Sequence, residues 1–210
     1  MNKLFLGPLI ALSIFFNHLL IAQVPTENSV TQNTQISSSN YLTIYTYITQ
    51  NYKKISTHNA HIISYEICKQ TQQCNLDPLL FASIIAVESR FNHEAIGGGN
   101  ASGLGQLMPG TYRHYKVSNP FDIADNIGGM CRYITDIRKS WESKPNSQTL
   151  ILVSYNRGTT YVKRHLNTLT DKALKYSDKV MAHYKKLQEN SNNIEIESVL
   201  GENSLLQFSK

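Results

Sequence analysis

Apolar side chains return every three or four residues in five stretches of this chain, 58–72, 77–91, 122–141, 147–155 and 171–187. That period lays a stripe along one face of an α-helix. No strand–helix alternation and no internal repeat accompanies it, so the pattern predicts a mainly α-helical domain over about residues 41–188. Residues 41–52 are ambiguous, because their Tyr, Thr and Ile side chains also suit a strand. Local signals mark several ends: Asp77 as a cap with Pro78 at the first helical position, Ser147 as a cap, and Gly158 beyond a terminus. A length of 210 residues with 41% hydrophobic and 17% charged side chains supports one packed domain and excludes collagen-like, coiled-coil and wholly disordered chains.

The flanks differ in character. Residues 1–22 place Lys3 before an apolar run that ends Leu19-Leu20-Ile21-Ala22, the layout of a signal peptide, or of a membrane anchor if it is not cleaved. Either way the domain is expected outside the cytoplasm, periplasmic or secreted. Residues 23–40 read as a flexible polar linker and 189–210 as a polar, disordered tail. In an oxidising compartment two of Cys68, Cys74 and Cys131 can pair, and the sequence does not choose which. His58 and His61 with these cysteines match no closed zinc pattern, so no metal is expected.

The formal charge is +5. Residues 41–188 carry eighteen Lys and Arg against ten Asp and Glu, while the last 22 residues are acidic. This balance favours an anionic partner. The basic residues form no stripe interleaved with aromatics, which argues against nucleic acid.

Six of the eleven glycines fall between Gly97 and Gly110. Glycine costs backbone entropy, so such density calls for positive φ, close helix approach or a ligand against the main chain. A phosphate loop is excluded, because Thr111 and Tyr112 follow Gly110 where Lys and Ser or Thr are required. Leu104, Leu107 and Met108 are too apolar for an idle surface turn, and the segment reads as a loop packed on the floor of a cleft. Just before it stands Glu88. On a helix it shares a face with Phe81, Ile84, Ile85 and Phe91, so it is either paired with a cation such as Arg90 or held protonated by burial. A neutral carboxyl beside a groove is suited to protonating a glycosidic oxygen. Glu94, Asp122 and Asp125 are the nearest second carboxylates, and none lies on an apolar face beside the glycine-rich turn.

These residues resemble a known family, the soluble lytic transglycosylase domain with its goose-type lysozyme-like helical fold. Glu88-Ser89 resembles the family's catalytic Glu-Ser. The run from Gly103 to Pro109 resembles its Gly-Leu-Met-Gln-x-Met-Pro, Ser154-Tyr155-Asn156-Arg157-Gly158 resembles its Ala-Tyr-Asn-Ala-Gly, and residues 176–180 are similar to its closing Tyr-Val-x-x-Val helix. The resemblance implies a peptidoglycan lytic transglycosylase that needs no cofactor. Glu88 would serve as acid and then base, cleaving between N-acetylmuramic acid and N-acetylglucosamine to leave a 1,6-anhydro end. Gln106 and Met108 would line the groove, Tyr155 would orient Glu88 or the 2-acetamido group with Asn156 in support, and Tyr176 would close the wall. The implied partner is the glycan strand, with a secretion or conjugation apparatus as a further one. A lysozyme-type hydrolase, or a glycan-binding structural part of such an apparatus, is the alternative. Three positions depart from the pattern: Gly105 where Met is frequent, Gly97 where Ser is common, and Lys172 where Glu is frequent. The first two imply fewer side-chain contacts to sugar or a wider groove, and the third bears on subsite preference.

Overall fold

A computed structural model describes the backbone of residues 37–207 and the side chains of 37–196. The signal or anchor segment and most of the 23–40 linker lie outside the described residues. Among the described residues eight α-helices follow one another: α1 Ser38–Asn51, α2 Thr57–Cys74, α3 Pro78–Glu88, α4 Pro109–His114, α5 Ile123–Trp141, α6 Ser147–Arg157, α7 Thr159–Arg164 and α8 Asp171–Gln207. Among the described residues the extended backbone amounts to two isolated antiparallel bridges, Ile96 with Ser102 and Ser102 with Leu107.

Helix α3 sits at the centre, and its composition explains why. Phe81, Ala82, Ile84 and Ile85 are all within 2% of complete burial, so the helix is apolar around most of its circumference and must be surrounded. Asp77 caps it, accepting from the backbone N–H groups of Leu79 and Leu80, with Pro78 in the first turn. Helix α8 runs antiparallel to α3 and is tied to both its ends: the Tyr184 hydroxyl donates to Asp77 and the Tyr176 hydroxyl to Glu88. Helices α1 and α2 cover another side, and α5 and α6 complete the layer beneath the glycine-rich loop.

Residues 41–51 are helical, with Tyr52 as the C-cap, because Ile44, Tyr47 and Ile48 then share one buried face. Asn146 in the left-handed region, and not Ser147, occupies the N-cap of α6. Gly158, at φ 84°, ends α6 as expected. Helix α3 stops at Glu88, short of Phe91. Arg90 and Phe91 take φ values of 54° and 62°, and Phe91 reaches full burial beside Tyr47 and Tyr52 from that turn. The expected end of the domain at 188 differs most: α8 continues unbroken to Gln207. Leu187 and Ser191 are buried and Ile194 half-buried, a spacing that extends the inward stripe beyond 188, and adding turns to an existing helix avoids the cost of nucleation. Among the described residues no helix is long and apolar enough to cross a membrane.

Candidate active site

Glu88 is the last residue of α3, so its side chain leaves the core where the helix ends and enters a cavity of about 440 Å³. Gln106, Met108, Tyr133, Tyr155 and Asn156 line the same cavity. Burial pushes the Glu88 carboxyl up to about 7, and the hydrogen bond from Tyr176, at 2.6 Å, pulls it partly back. Among the described residues no cation lies within ion-pair reach of Glu88. Arg90, the partner that an ion pair would need, is turned by its positive φ into a different cavity with Lys53 and Lys54. Burial without a counter-ion therefore holds this carboxyl near neutrality.

The other carboxylates are engaged elsewhere. Asp122 caps α5 through the Asp125 N–H, and the Asp125 carboxylate accepts from the N–H groups of Ser118 and Asn119. Glu94 is exposed and outside the cavity. Glu88 is thus the one carboxylate lining it among the described residues. Nor does any group of three His, Cys, Asp or Glu side chains among them come together to hold a metal ion.

The glycine-rich loop is held open-mouthed over α5 by one buried amide. The Asn126 Nδ2 group donates to the carbonyls of Ser102, at 3.1 Å, and Pro120, at 2.7 Å, while its Oδ1 accepts from the Gly105 N–H at 2.9 Å. Gly103 has φ 74°, and a Cβ there would overlap the Pro120 carbonyl and the Asn126 amide. Gly105 has no room either: a side chain would run into Met130 and the Tyr155 hydroxyl. Position 105 therefore faces α5, with the Met130 thioether filling the space that a side chain would need. A Cβ at Gly97 would collide with the Gln106 side chain, whose amide donates to the carbonyls of Ala95 and Gly103. Leu104 and Leu107 are buried beneath the loop, whereas Met108 is 47% exposed at its lip.

The two tyrosines stand differently from the roles the resemblance implied. Tyr176, buried on α8, donates to Glu88 and is not among the cavity-lining residues. Tyr155 lines the cavity but donates to the Gly105 carbonyl at 2.7 Å, pinning the loop. Asn156 is exposed at the rim. Tyr133 was not singled out in the sequence. It lines the cavity from α5, packs against Tyr155 with ring centroids 5.2 Å apart, and donates to the Ser154 and Tyr155 carbonyls. Its placement three residues after Met130 and seven after Asn126, on one helical face, is the signal that marks it.

One carboxyl raised by burial, a loop fixed by the Asn126 and Tyr155 side chains, and the rings of Tyr133 and Tyr155 thus meet around one cavity. The chain is 33% identical over 119 residues to the transglycosylase of Enterobacteria phage PRD1, an overlap of 57% of this chain and 42% of the phage protein. Its fold is similar to that of the lytic transglycosylase Slt from Pseudomonas aeruginosa, solved as an inactive mutant, with a TM-score of 0.54, 19% identity, and coverage of 71% of this chain and 30% of that one. The chain spans less than half the length of either relative. The model of the Transglycosylase SLT domain matches residues 65–177, an interval that holds Glu88, the glycine-rich loop and both tyrosines, and the chain accordingly belongs to the SLT transglycosylase family.

Proposed function

We propose that the protein is a peptidoglycan lytic transglycosylase in which Glu88 acts first as acid and then as base. The observation that carries this reading is the largely desolvated Glu88 carboxyl, without a counter-ion, in a cleft with no second carboxylate among the described residues. A two-carboxylate mechanism has no partner group there, so the substrate must supply the second function. The protonated carboxyl donates to the oxygen bridging N-acetylmuramic acid and N-acetylglucosamine. The 2-acetamido oxygen supports the developing cation, and the Glu88 carboxylate takes the proton of the sugar's 6-hydroxyl as that oxygen closes on C1. The bridging oxygen leaves as a hydroxyl, water is not consumed, and the 1,6-anhydro end results. Desolvation favours both halves: it holds the proton on Glu88 before cleavage and leaves a carboxylate basic enough to remove one afterwards. The excess of basic residues between 41 and 188 suits a polymer whose peptide stems bear carboxylates, and the segment 1–22 read as a signal peptide would put the domain at the cell envelope, where that polymer lies.

Mass spectrometry of purified sacculi digested with the protein tests the reaction. Anhydro-muramyl ends are expected, and reducing ends in their place would mean that Glu88 activates water and that the reaction is a hydrolysis.

The protonated acid is required for the first step, so kcat/KM should fall as pH rises through about 7. Tyr176→Phe deletes the hydrogen bond that favours the carboxylate, so the alkaline limb should move upward by roughly 1–2 pH units, the equivalent of a hydrogen bond to a charged group. Tyr155→Phe should leave that limb in place, because its hydroxyl serves the Gly105 carbonyl. Equal shifts from both variants would contradict the division of labour between the two phenols.

A further inference from the structure

Helices α2 and α5 run parallel in a register that several contacts fix independently. Near the start of α5 the Gln70 amide donates to the Ala124 carbonyl, and a Cβ on Gly128 would lie 3.4 Å from the Gln70 Oε1. At the other end the Arg138 guanidinium donates to the carbonyls of Cys74 and Asn75, at 3.3 and 2.6 Å. Between these two anchors, one turn beyond Gln70 on α2 and one turn beyond Gly128 on α5, stand Cys74 and Cys131. Their thiols face each other, and the Cys74 sulfur is among the groups that push the Cys131 thiol up from its ordinary value, after burial itself. The bare Gly128 leaves room for the Gln70 side chain to lie across α5 and reach the Ala124 carbonyl, which holds the two helices in this register.

The third thiol points elsewhere. Cys68 lies six residues before Cys74, about 240° around the helix, and lines a small cavity with Ser37 and Asn40 on the side of α1. It contributes to raising the Tyr41 hydroxyl, which places it against that helix and away from α5. All three thiols are free in this structure, and of the three only Cys74 and Cys131 lie on the α2–α5 seam.

We propose that Cys74 and Cys131 are a disulfide pair that closes when the folded chain meets a small-molecule or protein disulfide, stapling the end of α2 to the helix that carries Asn126, Met130 and Tyr133. Cys74 is half-buried and Cys131 is 1% exposed, so the order of events is set by access. The Cys74 thiolate attacks the external disulfide, forming a mixed disulfide and releasing one thiolate. Cys131 then gives its proton to a released thiolate and attacks the Cys74 sulfur, expelling the second thiol. Two electrons and two protons pass from the cysteine pair to the external disulfide, which is reduced to two thiols. The loop closed in this way contains α3, Glu88 and the glycine-rich segment, so the bond restrains the whole frame of the cleft. The inference rests on helix register and holds whatever the cleft binds.

The test uses the full chain, reduced and then equilibrated with mixtures of oxidised and reduced glutathione under native conditions. After acid quench and alkylation, peptide mapping should find one intramolecular bond joining the Cys74 and Cys131 peptides, with Cys68 alkylated only after unfolding. The oxidised form should melt roughly 5–10 °C above the reduced form. Cys74→Ser should abolish that difference and Cys68→Ala should keep it. A stable glutathione adduct on Cys74 with Cys131 still reduced, a bond that includes Cys68, or equal melting of the oxidised and reduced forms would each overturn the proposal.

Discussion

Glu88→Gln should leave the helical fold in place and remove the proposed peptidoglycan cleavage, with kcat/KM lowered by about 10²–10⁴-fold or more. The amide keeps the shape of the side chain, and its carbonyl still accepts from Tyr176, but it has no proton to give the bridging oxygen. Stability distinguishes this outcome from a structural one. The folded carboxyl titrates near 7 against a usual 4.5, so folding favours the protonated form. That contribution is present in full below about pH 4.5 and is lost as pH rises through about 7. Gln stays neutral throughout. Parent and variant should therefore melt together at pH 4, while at pH 8 the variant should melt higher, by roughly 3–8 °C for a contribution on the order of 1–3 kcal/mol. Thermal melts at the two pH values and a turbidity assay on sacculi measure both effects. A buried ion pair would behave oppositely: the variant would lose about 3–5 kcal/mol at neutral pH. Full activity in a folded Glu88→Gln protein would place the acid on another residue.

Much of this arrangement is readable from the chain, and the boundary of what is readable has a physical cause. The helices from α2 onward that carry apolar stripes announce themselves by their period, and Glu88 by standing on such a stripe without an obvious partner. The glycine density marks the loop as a packed one, while Gln106 and Met108 are picked out only by the family resemblance. The features that the sequence leaves open or suggests otherwise depend on neighbours remote in sequence. Residues 41–52 have strand-forming side chains, and only the burial of Ile44, Tyr47 and Ile48 decides for helix. The Asn-rich composition after 188 suits a solvated tail, yet α8 passes through it, with buried positions at 187 and 191 and a half-buried one at 194. Which phenol reaches Glu88 is settled by the antiparallel docking of α8 on α3, and Tyr155 is drawn instead to a backbone carbonyl fifty positions away. No local motif encodes either pairing. Gly105 illustrates the same limit: its place in a family pattern suggests a groove position, and its surroundings show an inward one filled by Met130.

Asn126→Ala should be the most destabilising single change in the cleft's scaffold. Asn126 is fully buried, and its side chain satisfies the Gly105 N–H and the Ser102 and Pro120 carbonyls at once. Alanine removes the partner from all three, and each buried polar group left unpaired costs about 1–3 kcal/mol. Partial relief by entering water limits the total to roughly 3–5 kcal/mol, a drop of about 10–15 °C in Tm for a chain of this size. Asn126→Asp sharpens the test, because the carboxylate still accepts from Gly105 but sets negative charge against two carbonyl oxygens. It should be no more stable than alanine at neutral pH and should recover on acidification, when the protonated acid can donate to one of those carbonyls. Hydrogen exchange supplies the local readout: the amides of Ser102, Gly105 and Leu107 should lose protection in both variants, while those of α3 away from its ends keep theirs until global unfolding. Glu88 would then remain in place with its groove wall loosened, so activity should fall through KM as well as kcat. An alanine variant with unchanged Tm and intact protection at Gly105 would mean that the loop is held by the packing of Leu104 and Leu107 and not by the buried amide.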